Sequence, residues 1–321
     1  MSRLPLFLLV AAACGGASKP PQTAPLPDDT KQAAAAPPAV KPAPPVEAAP
    51  PPAPPVEVKI AAAQTTVKLV AGGKGKKQPL RYTPTAGTKQ ALELAMDFTG
   101  KQDTEQRVVP TIVLTADAET KAVDKDGNAE YALTVTGTDA RAVEGSSVPL
   151  DQFKAVLNTL SGLTIGGKRD ASGLAGELTL RIEKPAKNAV ETLELIRLTL
   201  PSLPVLPKEA LGVGAKWQST TTARLADQLD ITQVTDYELV AHDGATWTIK
   251  GKTKVTGKDQ TIDNGKISAI SGAGTSETTL ADGALYPTHK SSTETQFKAL
   301  AQDKTIQFKL KVGASVTPKA P

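Results

Sequence analysis

The sequence predicts a mainly β protein, with antiparallel sheets arranged as a sandwich or an open half-barrel and one or two short helices. Three observations carry this. First, apolar residues alternate with polar or small ones, as at Leu92, Leu94, Met96 and Phe98 and again at Ile306, Phe308, Leu310 and Val312. A period of two gives one buried and one wet face. Second, turn dipeptides separate such segments: Asp126-Gly127, Asp243-Gly244 and Asp282-Gly283. These are hairpin signals, because glycine takes positive φ without a Cβ clash. Third, only two stretches depart toward helical spacing. Aromatics make up 3% of the chain, so the core must rest on Leu, Val, Ile and Ala.

The chain opens with one basic residue, Arg3, then an apolar run from Leu4 to Val10, then Ala11-Ala12-Ala13-Cys14-Gly15. A basic start, a short apolar stretch and small residues at the cut are the layout of a secretory signal. The apolar stretch is far below the ~20 residues a spanning helix needs. Ala11-Ala12-Ala13-Cys14 resembles the lipobox of bacterial lipoproteins. That resemblance implies cleavage of residues 1–13, acylation of Cys14 and residence in the cell envelope. Gly15 in place of Asp implies the outer membrane, facing the periplasm. Cys14 is the only cysteine, so a lipidated chain has no thiol left for a disulfide or a metal site.

Residues 14–78 read as a tether. Fourteen of the 26 prolines fall between Pro20 and Pro55, interleaved with alanine. Such a run favours extended polyproline II and cannot build a core. At ~3.1 Å per residue it could hold a domain far from a membrane or thread it through peptidoglycan. The cluster Lys74, Lys76 and Lys77 reads as a solvated linker face, with contact to anionic headgroups as its alternative. A net charge of +4 over 321 residues is too weak and too dispersed for a nucleic-acid partner.

Residues 79–316 read as the globular part, with possible subunits 79–186 and 205–316, and 317–321 as a tail. After the strand of Leu92–Phe98 come Ile112 and Leu114, then Tyr131, Leu133 and Val135. Leu150, Phe153, Val156, Leu157 and Leu160 recur at three and four, so 150–161 predicts an amphipathic helix, which Gly162 is placed to end. Residues 187–199 are ambiguous. Val190, Leu193 and Ile196 suit a helix, whereas Leu193, Leu195 and Leu198 suit neither period. Pro201, Pro204 and Pro207 stop whatever forms. Gly212-Val-Gly214 predicts a tight turn, and Trp217 a core plug at the start of a strand. Thr220, Thr221, Thr222 and Thr253 read as outward strand positions, which suit a β-branched side chain.

The turn at Asp126-Gly127 is followed by one at Asp170 to Gly173, and Asp243-Gly244 by Asp282-Gly283. The halves are either related β units or share only ordinary hairpin chemistry. Pro204-Val-Leu-Pro207 leading to Gly212-Val-Gly214-Ala-Lys-Trp217, with the later Ser271-Gly272-Ala-Gly274 and Asp282-Gly283-Ala-Leu285, resembles a family of bacterial lipoproteins of unknown function. The resemblance implies no activity and no site residues.

No catalytic motif emerges. Two histidines are present. His242 abuts a turn and reads as exposed, and His289 reads as a surface strand residue. There is no Gly-x-Ser-x-Gly elbow, no Ser-x-x-Lys and no His-Glu-x-x-His. In Asp124-Lys-Asp126-Gly127-Asn128, calcium would require glycine where Ala129 stands and glutamate where Thr136 stands, so a plain turn is expected. No cofactor, metal or catalytic residue is assigned. Three classes remain. The first is a non-catalytic envelope protein, with an envelope protein or peptidoglycan as partner. The second is a carrier of lipid or another apolar ligand, like half-barrel carriers in which a curved sheet wraps a helix. The third is a cryptic hydrolase.

Overall fold

The computed structural model describes residues 54–186, 189–225, 229–262, 265–301 and 304–319. Cys14, the signal segment and nearly all of the proline-rich run lie outside the described residues.

The fold starts earlier than composition suggests. β1 (Val56–Ile60), β2 (Gln64–Ala71) and β3 (Lys74–Pro79) all fall within the stretch read as tether, so residues 54–78 belong to the domain. Val56, Val58 and Ile60 alternate with Glu57 and Lys59 and pack against the main core, while Val67 and Leu69 pack beneath Trp217. These strands are short and lie next to the prolines, so local composition hid their alternation.

A meander follows: β4 (Lys89–Gln102), the short β5 (Glu105–Val108), β6 (Thr111–Val123), β7 (Ala129–Arg141), β8 (Thr164–Arg169) and β9 (Ala175–Ile182). Between β7 and β8 stands α1 (Leu150–Leu157), prolonged by a 3-10 turn at Asn158–Leu160, with Gly162 at φ 76° just beyond. Then come α2 (Ala189–Thr199) and β10 (Ala210–Val213). The second meander is β11 (Lys216–Leu225), β12 (Leu229–Asp243), β13 (Thr246–Thr256), the short β14 (Gln260–Ile262), β15 (Gly265–Ala281), β16 (Thr288–Ala301) and β17 (Lys304–Pro318). β17 thus takes in the first residues of the stretch read as a tail.

Among the described residues, fifteen strands form one antiparallel sheet in the order β1-β9-β8-β7-β6-β4-β17-β16-β15-β13-β12-β11-β2, with β5 on β4 and β14 on β15. β3 and β10 make a separate ribbon. The β4–β17 ladder joins the two meanders, so the halves share one sheet. Their turns occupy matching places. Leaving aside the short β5 and β14, Asp126-Gly127 and Asp243-Gly244 each join a second strand to a third, and the turns at Asp170 and Asp282 each join a fourth to a fifth.

Topology also fixes the curl of the sheet. Every step from β1 to β2 is antiparallel and the number of steps is even, so the two end strands run the same way. Only residues 61–63 separate them, a span of about 15 Å at most. A parallel pair cannot be joined so tightly, and β1 and β2 share no ladder. β2 therefore continues where β1 stops. The run from Val56 to Ala71 is bonded to β9 along its first part and to β11 along its second, and it brings the two edges of the sheet together.

Among the described residues, three apolar clusters fill the inside. The largest lies under the first meander and takes in Phe153, Leu157 and Leu160 with Leu193 and Ile196 of α2. A second surrounds Trp217, Trp247 and Tyr82 at one end of the second meander. A third, with Phe297, Phe308 and Ile267, closes its other end. Trp217 is the expected plug: it is 1% exposed, stacks on Tyr237, and its indole N–H donates to the Val205 carbonyl at 3.0 Å.

Candidate functional site

Between the three clusters, the concave face of the second meander carries polar as well as apolar side chains and borders an open space. The strand register sets what it presents. One inward row runs Thr235, Thr253, Gly274, Thr293, Val312, Phe98 across β12, β13, β15, β16, β17 and β4. The row on one side runs Tyr237, Gly251, Ser276, Ser291, Ala314, Met96, and the row on the other runs Gln233, Val255, Gly272, Thr295, Leu310, Gly100, with Val255 buried in the third cluster. Most of these residues on β12 to β16 are therefore hydroxylated or small, Gln233 and the buried Val255 excepted, and those on β17 and β4 are mostly apolar. The reading of all four threonines as outward is corrected: Thr253 lines this face, and Thr221 faces Thr65 with hydroxyls 3.0 Å apart.

Tight curvature explains the glycines. A Cβ at Gly272 would lie 2.4 Å from the Glu294 carbonyl oxygen, and one at Gly274 would lie 2.6 Å from Thr293 Oγ1. Any side chain there would push β15 and β16 apart. Beyond them, Ala269 at φ 54° marks a bulge in β15. The extra residue shifts the inward set from even spacing at Gly272 to Ile270 and Ile267, which join the third cluster.

The opposite wall is α2. Ala189, Thr192, Leu193, Ile196 and Thr199 form its buried face. Leu195 and Leu198 lie on a second, half-buried face and line the open space. From Ala189 on, the ambiguous stretch is thus a helix with one fully buried apolar side and a second, half-buried one. Together the walls enclose a groove of about 290 Å³, which Phe153, Val156 and Leu157 of α1 also border. Its ionisable lining is Glu105, Arg107, Glu191 and the phenol of Tyr237. The first three are exposed. Burial pushes the Tyr237 phenol up to about 12. Thr235 and Thr253 bond to each other at 2.9 Å. Ser276, Ser291, Thr293 and Thr295 have no side-chain hydrogen-bond partner among the described residues, so their hydroxyls are available to whatever fills the groove.

The other singled-out residues lie elsewhere. His242 is half-buried rather than exposed, because its ring stacks on Trp247 at 3.6 Å. The Asp124 carboxylate accepts from the backbone N–H groups of Asp126 and Asn128, both at 2.9 Å, which closes the expected turn. His289 is not a surface residue. It is 1% exposed, Nδ1 lies 2.8 Å from Thr278 Oγ1, and Nε2 has no partner among the described residues. Burial pushes its pKa from the ordinary 6.5 down to about 4.

That shift carries a pH dependence. As pH falls, the unfolded chain takes up a proton at His289 near pH 6.5, and the folded chain refuses it until about pH 4. Stability therefore drops through this window, by about 2 kcal/mol at pH 5. Denaturant melts at pH 7 and pH 5 should show the native protein losing about 2 kcal/mol more than His289→Leu. Equal losses in the two proteins would exclude His289 as the cause.

A second buried feature escaped sequence reading. Arg169 is 4% exposed, donates from a guanidinium nitrogen to the Leu285 carbonyl, and lies over three rings: Tyr82 at 4.7 Å, Tyr286 at 5.2 Å and Tyr131 at 5.6 Å. Burial raises the pKa of all three phenols, against the lowering effect of the cation. The cage ties the end of β8 to the loops at 80–82 and 285–287. It does not border the groove.

Fold and site together define a curled antiparallel sheet that carries an internal helix and a groove of small-ligand size. Residues 194–282 are similar to a family of unknown function (DUF6263). No curated protein and no solved structure matches the chain. The matched stretch covers less than a third of the chain. It contains Leu195 and Leu198 of α2 and the inward faces of β12, β13 and β15, which make up much of the groove wall.

Proposed function

We propose that this domain is a non-catalytic binder and carrier of an apolar or amphiphilic small molecule. In this reading, lipid at Cys14 and the proline-rich segment after it hold the domain in the cell envelope. The observation that carries the reading is the half-buried second face of α2, where Leu195 packs against the edge of the main cluster and Leu198 borders open space. Leu195 and Leu198 stand half-buried where the helix faces the concave sheet, so each keeps apolar surface that no described residue covers. Leaving them uncovered forfeits about 1 kcal/mol or more each in burial, a sacrifice that a ligand would offset. A volume near 290 Å³ sits at the lower end of small-molecule sites. The described lining contains no histidine, cysteine or lysine, and its two carboxylates, Glu105 and Glu191, are exposed.

Blocking the groove tests this. Thr293→Trp places a large ring in the middle of the inward row. The native protein should enhance the fluorescence of the uncharged dye N-phenyl-1-naphthylamine saturably, and Thr293→Trp should lose most of that signal while keeping a cooperative melt. Equal dye binding by the two folded proteins would sink the reading. The anchor is tested separately: Cys14→Ser should move the protein from the membrane pellet to the soluble fraction.

A further inference from the structure

The two walls of the groove are chemically unlike, and this narrows what it takes. On the α2 side stand Leu195 and Leu198. On the sheet side, Ser276, Ser291, Thr293 and Thr295 present hydroxyls with no partner among the described residues, beside the apolar Phe297, Leu310 and Val312. A plain alkyl chain would satisfy the leucines but desolvate those hydroxyls against methylenes, which costs about 1–3 kcal/mol for each left unpaired. Charge narrows the choice further. The charged lining consists of Glu105, Glu191 and Arg107, two acids against one base, and no cation stands on the hydroxyl wall. An anionic headgroup would find no counter-charge there. A neutral polyol or ester can both donate to and accept from serine and threonine.

Resting on the binding reading above, we propose that the groove selects a neutral amphiphile with a polyhydroxylated or ester-bearing head. Its short apolar part lies along α2, and its oxygens lie on the β15–β16 wall. Size agrees with a modest ligand. A dry cavity of ~150 Å³ admits benzene, so the enclosed part of this groove suits roughly a dozen heavy atoms, with the remainder emerging between the exposed Glu105 and Glu191.

The test compares three probes of equal chain length by calorimetry, each below its micelle concentration: 1-decanoylglycerol, 1-decanol and decanoate. The native protein should bind 1-decanoylglycerol about tenfold or more tighter than either of the others, the equivalent of one or two extra hydrogen bonds. A variant carrying Ser291→Ala, Thr293→Val and Thr295→Val keeps the shape and β preference of the wall but removes three hydroxyls. It should hold 1-decanol at least as well as the native protein and lose the preference for the glyceride. Binding of decanoate or decanol as tight as the glyceride would overturn the selectivity and leave the binding reading standing. So would a preference that survives in the variant. Failure of all three probes to bind would remove both.

Discussion

Arg169→Ala should lower stability by about 3–5 kcal/mol, whereas Arg169→Met should lower it by no more than about 1–2 kcal/mol. No carboxylate pairs with this guanidinium among the described residues, although it is almost wholly buried. Desolvating the charge costs several kcal/mol. Three tyrosine rings within 5.6 Å return about 0.5–2 kcal/mol each, and a charge-assisted bond to the Leu285 carbonyl returns about 1.5–3 kcal/mol. These terms nearly cancel. What the site requires, then, is the volume of the side chain between the loops at 80–82 and 285–287 rather than its charge. Alanine empties that volume, and the loops cannot collapse onto it because each is fixed elsewhere: Tyr82 donates to the Pro204 carbonyl, and the Tyr286 N–H donates to Gln90. Methionine fills it and leaves one carbonyl short of a donor. Urea midpoints at constant slope would separate the two. A methionine variant as unstable as the alanine one would show that the cation–ring contacts dominate.

The long strands were legible because their inward residues are large and their outward ones are not. Leu92 to Phe98 and Ile306 to Val312 alternate in the structure as they do in the sequence. The helix at 150–161 was legible for the same reason at a different period. β1 and β2 were not, because each has few inward residues and lies beside a run whose composition argues against any core. The groove wall was missed through a reasonable rule that has an exception here. Residues 271–279 and 288–296 contain no valine, isoleucine, leucine or phenylalanine, so neither face reads as buried, and threonine was placed in solvent by default. Strands that are small and polar on both faces, yet sit mid-sheet between two dry clusters, are what a solvated interior requires. The same cause made 187–199 unreadable. A helix with one stripe in the core and a second over a groove has no single period. His289 was misplaced because a strand of alternating polar residues gives no hint which half points inward.

Leu157→Ala and Leu198→Ala should therefore separate sharply, although both residues border the groove. Leu157 is fully buried among the side chains of the main cluster. Truncating it removes packed contacts on nearly every side and leaves a hole that neighbouring strands cannot close, at about 2–5 kcal/mol. Leu198 has its outer side free. Its loss removes half-covered surface and leaves no enclosed void, so the change should stay below about 1 kcal/mol. Binding should show the reverse contrast when measured at a temperature where both variants are folded. Leu198→Ala removes apolar area from the wall that a ligand would cover, so it should weaken binding of 1-decanol severalfold. Leu157→Ala should change that affinity less than it changes the melting midpoint. If Leu198→Ala proved as destabilising as Leu157→Ala, the second face of α2 would be part of the core in solution, and the groove would be filled by the protein itself.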